Sequence, residues 1–240
     1  MVWAIASGIE GNLAAYEAVL ADIKKQKVDE FFILGDIVGP TVDSEAVVDR
    51  IRNPKSNEHI SAVCQGWWEE QCLILHALGR TGHPKQLIDK FGNQMVKTLW
   101  DSVSRDTVAW IQELDFGVVE LDCLLIHGSP MGVDDELNPE TSPLDLLDRL
   151  MRTDVNLLFC GRSGLAFEAA IQSGSLESTV QTLDRTFDPE VTTLKHKKVV
   201  GVGNVGRSPG KATYTLYSPG SNEVTFRVVD YAVNKGFGKR

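Results

Sequence analysis

The chain has 240 residues, 42% of them hydrophobic and 24% charged, which excludes a disordered chain and allows one large domain or two small ones. A formal charge of −9 argues against general nucleic-acid binding, which relies on neutralising phosphates with Lys and Arg. Val2–Ala6, the first apolar run, is too short for a signal segment or a membrane span, and no basic segment precedes it. A cytoplasmic protein without a membrane partner is expected.

Short apolar runs then alternate with segments of helical period. Between Val2–Ala6 and Phe31–Leu34, the segment Asn12–Lys25 carries Leu13, Tyr16, Val19, Leu20 and Ile23 on one face, with Asn12 placed to cap it. Ser44–Arg52 reads as a second helix, followed by the run Ile60–Cys64. From about residue 70 to 118, Ile74, Leu75, Leu78, Leu87, Ile88, Phe91, Met95 and Leu99 recur at helical spacing. Val103, Val108, Trp110, Ile111 and Leu114 continue the pattern, and Gly79, Gly82, Pro84 and Gly92 punctuate it. This is a mostly helical insertion, not a separate domain. Cys123–Ile126, Leu157–Cys160 and Val199–Val202 are further runs, with a helix at Asp145–Met151. Runs of this length with little polar alternation suit strands covered on both faces. The tail alternates instead, Ala212–Leu216 and Glu223–Val229 flanking Ser218–Asn222 as a hairpin. The chain therefore reads as a single α/β domain over 1–240 with a terminal β-hairpin. Cys64, Cys72, Cys123 and Cys160 keep no metal-finger spacing and read as buried thiols.

In layered α/β folds, ligands bind beyond the carboxyl ends of the strands. Each run here ends in a glycine-bearing loop: Ser7–Asn12, Gly35–Gly39, Gly66–Glu69, His127–Pro130, Gly161–Gly164 and Gly201–Gly206. Asp36, His127, Glu10 and Arg162 are thus expected to share one surface. The last loop matches G-x-G-x-x-G, but a strand follows it where a dinucleotide site needs a helix. Gly161-Arg162-Ser163-Gly164 lacks the spacing of a nucleophile elbow, because Leu165 stands where the second glycine belongs. His59, His76, His83 and His196 fall outside these loops.

The order and context of the loops resemble the calcineurin-like metallophosphoesterases, whose motifs read SD-x-HGN, LGD-x-VG, GNHD, HGSP, GH-x-H and NPGSVG. The resemblance covers Val2 to about Tyr231 and implies a four-layer α/β/β/α metallophosphoesterase-like sandwich. It also implies two metal ions that activate a hydroxide for attack at phosphorus. Carried over by position, Asp36 and His127 stand at ligand positions. Gly8 and Glu10 replace the Asp and His of the first motif, while Gly11 and Asn12 match. Trp67 and Trp68 replace the Asn and His of GNHD, and Arg162 and Gly164 replace the pair of GH-x-H. The first metal would be left with Asp36 and Glu10, the second with Asp36 and His127, whereas stable sites use about three or four protein ligands.

The resemblance therefore implies a degenerate member, a pseudoenzyme with a binding or regulatory role and no cofactor. The alternative is a residual phosphoesterase working with one divalent ion (Mn, Fe, Zn or Mg) on Asp36, His127 and Glu10. Each residue also has a plainer reading. Asp36 can brace its loop, His127 can be structural, and Glu10 can be solvated or paired with an arginine. Trp67 and Trp68 can fill the cleft, cover an interface or stack on a ligand. Arg162 can compensate Asp36 and Glu10 in place of a metal, or bind a small phosphorylated ligand. A protein partner is the other expected occupant.

Overall fold

Trp3–Ala6 (β1) is buried along its whole length because its two faces serve two different cores. Trp3 and Ile5 enter one hydrophobic cluster; Ala4 and Ala6 enter another. Side chains alternate across a strand, so a run that is apolar at every position needs a layer on each side. The computed structural model describes residues 1–41, 43–76, 84–172, 174–178, 190–194 and 196–233. Leu78, Gly79, Gly82 and His83 of the helical region lie outside them.

The further strands are Glu30–Leu34 (β2), Ala62–Cys64 (β3), Gly117–Glu120 (β4), Cys123–Ile126 (β5), Leu157–Cys160 (β6) and Ala166–Ile171 (β7). Gly174–Ser178 (β8), Glu190–Leu194 (β9), Lys197–Val202 (β10), Lys211–Ser218 (β11) and Glu223–Asp230 (β12) complete them. The helices are Leu13–Ile23 (α1), Ser44–Arg52 (α2), Trp67–Leu75 (α3), Lys85–Phe91 (α4), Asn93–Asp101 (α5), Arg105–Gln112 (α6) and Pro143–Met151 (α7).

One sheet runs β12-β11-β1-β2-β3, the other β4-β5-β6-β10-β7, and β8 pairs with β9 as a separate ribbon. Within the first, β1, β2 and β3 are parallel; within the second, β5, β6 and β10 are. Between the sheets lie Trp3, Ile5, Phe32, Leu34 and Tyr217 from one side and Leu125, Leu157, Phe159, Val200 and Val202 from the other. Removing each such side chain from water stabilises the fold by about 2 kcal/mol. Helices α1, α2 and α3 cover the outer face of the first sheet, and Leu146 and Leu150 of α7 cover the second. This is the expected four-layer α/β/β/α arrangement.

The helical insertion is α3 to α6. It begins at Trp67, three residues before the expected start, and its far limit holds the strand β4. The C-terminal hairpin pairs β11 with β12 over eight residues each. Four strands, β4, β7, β8 and β9, have no counterpart in the apolar runs. β7 lies at an edge with alternate residues exposed, and β4 is another half-covered edge, so neither forms a continuous apolar run. All four cysteines are free and buried, and burial pushes the thiols of Cys72 and Cys160 up to about 12. Among the described residues, no helix is long and apolar enough to cross a membrane.

Candidate functional site at the strand ends

Because the central strands are parallel, the loops that leave β1, β2, β3, β5, β6 and β10 meet at one end of the two sheets. Backbone hydrogen bonds tie them together. Glu10 N–H donates to the Asp36 carbonyl at 2.9 Å and Gly11 N–H to Ile37 at 2.8 Å. Arg162 N–H donates to the His127 carbonyl at 2.8 Å, and Gly206 N–H to Gly8 at 2.7 Å. Asp36 and Glu10 both adopt left-handed backbone conformations, with φ of 52° and 51°. Non-glycine residues rarely do so, and such conformations persist where the surrounding structure holds them. Gly66 allows the β2 and β3 loops to pack together, since a Cβ there would lie 2.2 Å from Asp36 N.

Asp36 is the centre of the site, with its side chain 0% exposed. Its Oδ1 accepts from Trp68 N–H at 2.9 Å, and its Oδ2 accepts from Arg207 Nη2 at 2.8 Å. His127 Nε2 lies 3.3 Å from the same Oδ2, and Arg162 Nη1 lies 3.9 Å away. Burial disfavours the Asp36 charge, but His127, Arg207 and the Trp68 N–H overcome it and hold the carboxyl well below its ordinary range. The 2.7 Å approach of His127 Nδ1 to the Leu34 carbonyl, which only accepts, places an N–H on Nδ1. Nε2 is buried with no aligned hydrogen bond.

Glu10 joins Asp36 through a shared cation. Arg207 Nε donates to Glu10 Oε1 at 2.6 Å while Nη2 serves Asp36 and Nη1 donates to the Arg162 carbonyl at 3.0 Å. Burial pushes the Glu10 pKa up, the arginine pulls it back, and the Asp36 charge adds to the push. Arg162, the cation expected beside these carboxylates, does pair with Asp36, but the bridge between Asp36 and Glu10 belongs to Arg207. Arg162 reaches Asp36 only at 3.9 Å, and its guanidinium lies 4.8 Å from the Trp67 ring centroid. Arg207 takes the bridging role because its loop folds back over Gly8, bringing the fork directly above both carboxylates.

Trp67 and Trp68 are buried in the first turn of α3, edge to face at 5.0 Å, and both contact Phe91. Asn12 caps α1 by accepting from Ala15 N–H at 3.1 Å, and it donates to the Gly206 carbonyl and the Tyr231 hydroxyl. Glu69 ends one of the glycine loops with no role read from its sequence, yet its buried carboxylate accepts from the N–H groups of Asp36, Ile37, Val38 and Gly66 at 2.7–3.0 Å. Burial and the neighbouring Asp36 charge push its pKa up, and these N–H donors work against that push. A signal for it existed: an acid three residues after a capping position. For Arg207 the signal was weaker, a basic residue immediately after the last glycine loop.

The residues present do not fit the pair of metals that the resemblance implies. Asp36 Oδ2 and His127 Nε2 face one another as two ligands of one ion would, but the guanidinium of Arg207 fills the space in front of Oδ2. Among the described residues, no group of three or more His, Cys, Asp or Glu is arranged to hold a metal.

No family model matches the chain, and no curated protein matches it. Solved structures do. A metallophosphoesterase from Sphaerobacter thermophilus superposes with a TM-score of 0.66 and 20% identity, covering 97% of this chain and 89% of that one. Yfce, a phosphoesterase from E. coli, aligns over 97% and 100% of the two chains at 15% identity and a TM-score of 0.41. Vacuolar Protein Sorting 29 from Cryptosporidium parvum aligns over 97% and 98% at 9% identity and 0.40. Only the first likeness is close enough to bear on the fold.

Proposed function

We propose that this chain, which has the metallophosphoesterase fold, is a cytoplasmic binding or regulatory protein that works without the metals of that fold. The observation that carries the reading is the Arg207 bridge, 2.6 Å from Glu10 and 2.8 Å from Asp36. Two carboxylates at adjacent strand ends repel one another unless a cation lies between them. A guanidinium bonded to both supplies that charge and repels a dication from the same space. Trp67 and Trp68 add nothing a metal could use, and each has its rings packed against aromatic neighbours. The occupant of the cleft is then a small anionic ligand or a protein partner, with neither nucleic acid nor membrane involved.

Elemental analysis of the purified protein, followed by a bis-p-nitrophenyl phosphate assay with added Mn²⁺, tests this. The expected result is substoichiometric metal and no hydrolysis above background. About two transition-metal ions per chain, with hydrolysis lost in His127→Ala, would overturn it in favour of the residual phosphoesterase acting through Asp36, His127 and Glu10.

A further inference from the structure

Arg207 commits Nε, Nη1 and Nη2 to Glu10, the Arg162 carbonyl and Asp36, whereas the second arginine of the site makes no such bonds. The Arg162 side chain is 10% exposed, forms no hydrogen bond among the described residues, and has a buried Nε without a partner. Its one ionic neighbour among the described residues, Asp36, is 3.9 Å away and already bonded to Arg207. A second cation shares its aromatic neighbour and lines the same cavities. Lys90 Nζ lies 5.5 Å from the Trp67 ring centroid, over which Arg162 lies at 4.8 Å, and Lys90 pairs with no described carboxylate. The neighbouring acid of α4, Asp89, is held by Lys85 at 2.7 Å.

Two adjoining cavities share Trp67, Lys90 and Arg162. One of about 450 Å³ also meets Gln86 and Asp134; the other, of about 230 Å³, reaches Phe91 and Arg207. Trp67 is pinned by its Nε1–H bond to Gln86 at 3.1 Å and by its contacts with Trp68 and Phe91. The ring that both cations contact is therefore held in place, which lowers the cost of ordering them around a ligand. Asp89 and Asp134 line the first cavity and Glu10 and Glu136 the second, and these carboxylates repel an anion that does not reach Arg162.

The geometry points to a metal-independent oxyanion site at Arg162 and Lys90 on the Trp67 platform, taking a phosphate or carboxylate group of a small molecule. Either group offers two oxygens to a guanidinium fork, with the ammonium as a second, mobile donor. This inference rests on the metal-free reading of the cleft and names the chemistry of its ligand.

The test is titration of the EDTA-treated protein with inorganic phosphate and, separately, with acetate, followed by calorimetry and by tryptophan fluorescence. Saturable binding of one or both is expected, and the tighter of the two identifies the group. Arg162→Gln should weaken it by roughly tenfold or more, the loss of one charge-assisted hydrogen bond. Lys90→Gln, at an exposed position, should weaken it several-fold while leaving the melting temperature unchanged, so the proposal stays testable if the Arg162 variant does not fold. Neither anion binding with a Kd below about 10 mM, or equal affinity in both variants, would overturn the site. Binding that appears only when Mn²⁺ is added would overturn the metal-free reading itself.

Discussion

Replacing Arg207 with Ala removes the one fork that joins Glu10 to Asp36. The size of the effect follows from burial. Asp36 is fully buried, Glu10 is 15% exposed and Arg207 24% exposed, so water cannot replace the guanidinium at Asp36. Removing one partner of a fully buried pair costs about 3–5 kcal/mol, while an exposed pair is worth about 0–1. Asp36 keeps the Trp68 N–H at 2.9 Å and His127 at 3.3 Å, which places the loss near the lower end of the buried range, about 3 kcal/mol. With a urea slope of about 3 kcal/mol per molar, the unfolding midpoint at pH 7 should fall by about 1 M.

Arg207→Lys keeps the charge but cannot reach both carboxylates at once, and should lose about half as much. Acid titration gives an independent reading. The Asp36 pKa is depressed in the fold, so its contribution is present above the unfolded carboxylate value and lost as pH falls through the folded one. Without Arg207 that depression shrinks, and the parent's loss of stability below about pH 4 should flatten in the variant. A variant within about 0.5 kcal/mol of the parent, with an unchanged acid limb, would refute the bridge as the stand-in for metal.

Two other consequences follow from the same geometry of buried charge. Glu58, whose side chain is 3% exposed, is disfavoured as an anion by burial, but Lys24 at 2.9 Å and Arg50 at 2.6 Å draw its pKa down to about 2. Stability should fall by about 2 kcal/mol between about pH 4.5 and 2 from this group, and Glu58→Gln should remove that share of the acid dependence in a pH series of urea melts. Glu69→Gln puts an NH₂ against two of the backbone N–H groups that the carboxylate now accepts. A loss of about 3 kcal/mol is expected by thermal unfolding, and a neutral result would show that Glu69 does not hold the Asp36 loop.

Much of the site was readable from the loops. Asp36 and His127 meet as their positions after β2 and β5 imply, because parallel strands deliver their carboxyl ends to one place. Asn12 caps α1 as its place before a helical face suggests. Arg162 was legible as a cation near the site but not as one whose Nε is left without a hydrogen bond. The pairing of Arg207 with Glu10 spans 197 residues of sequence, and no local pattern encodes a contact of that range.

The sequence by itself determined the layered α/β class, the central strands and the convergence of the glycine loops, since hydrophobic period and turn chemistry are local properties. Only the tertiary structure decided which cation neutralises the carboxylates and which is left with open donors. Arg162 and Arg207 both follow glycine-rich strand ends, and chemistry alone does not rank them. The folding of the 206–209 loop over Gly8 does, because a guanidinium bonds whichever carboxylates its fork can reach at about 2.8 Å.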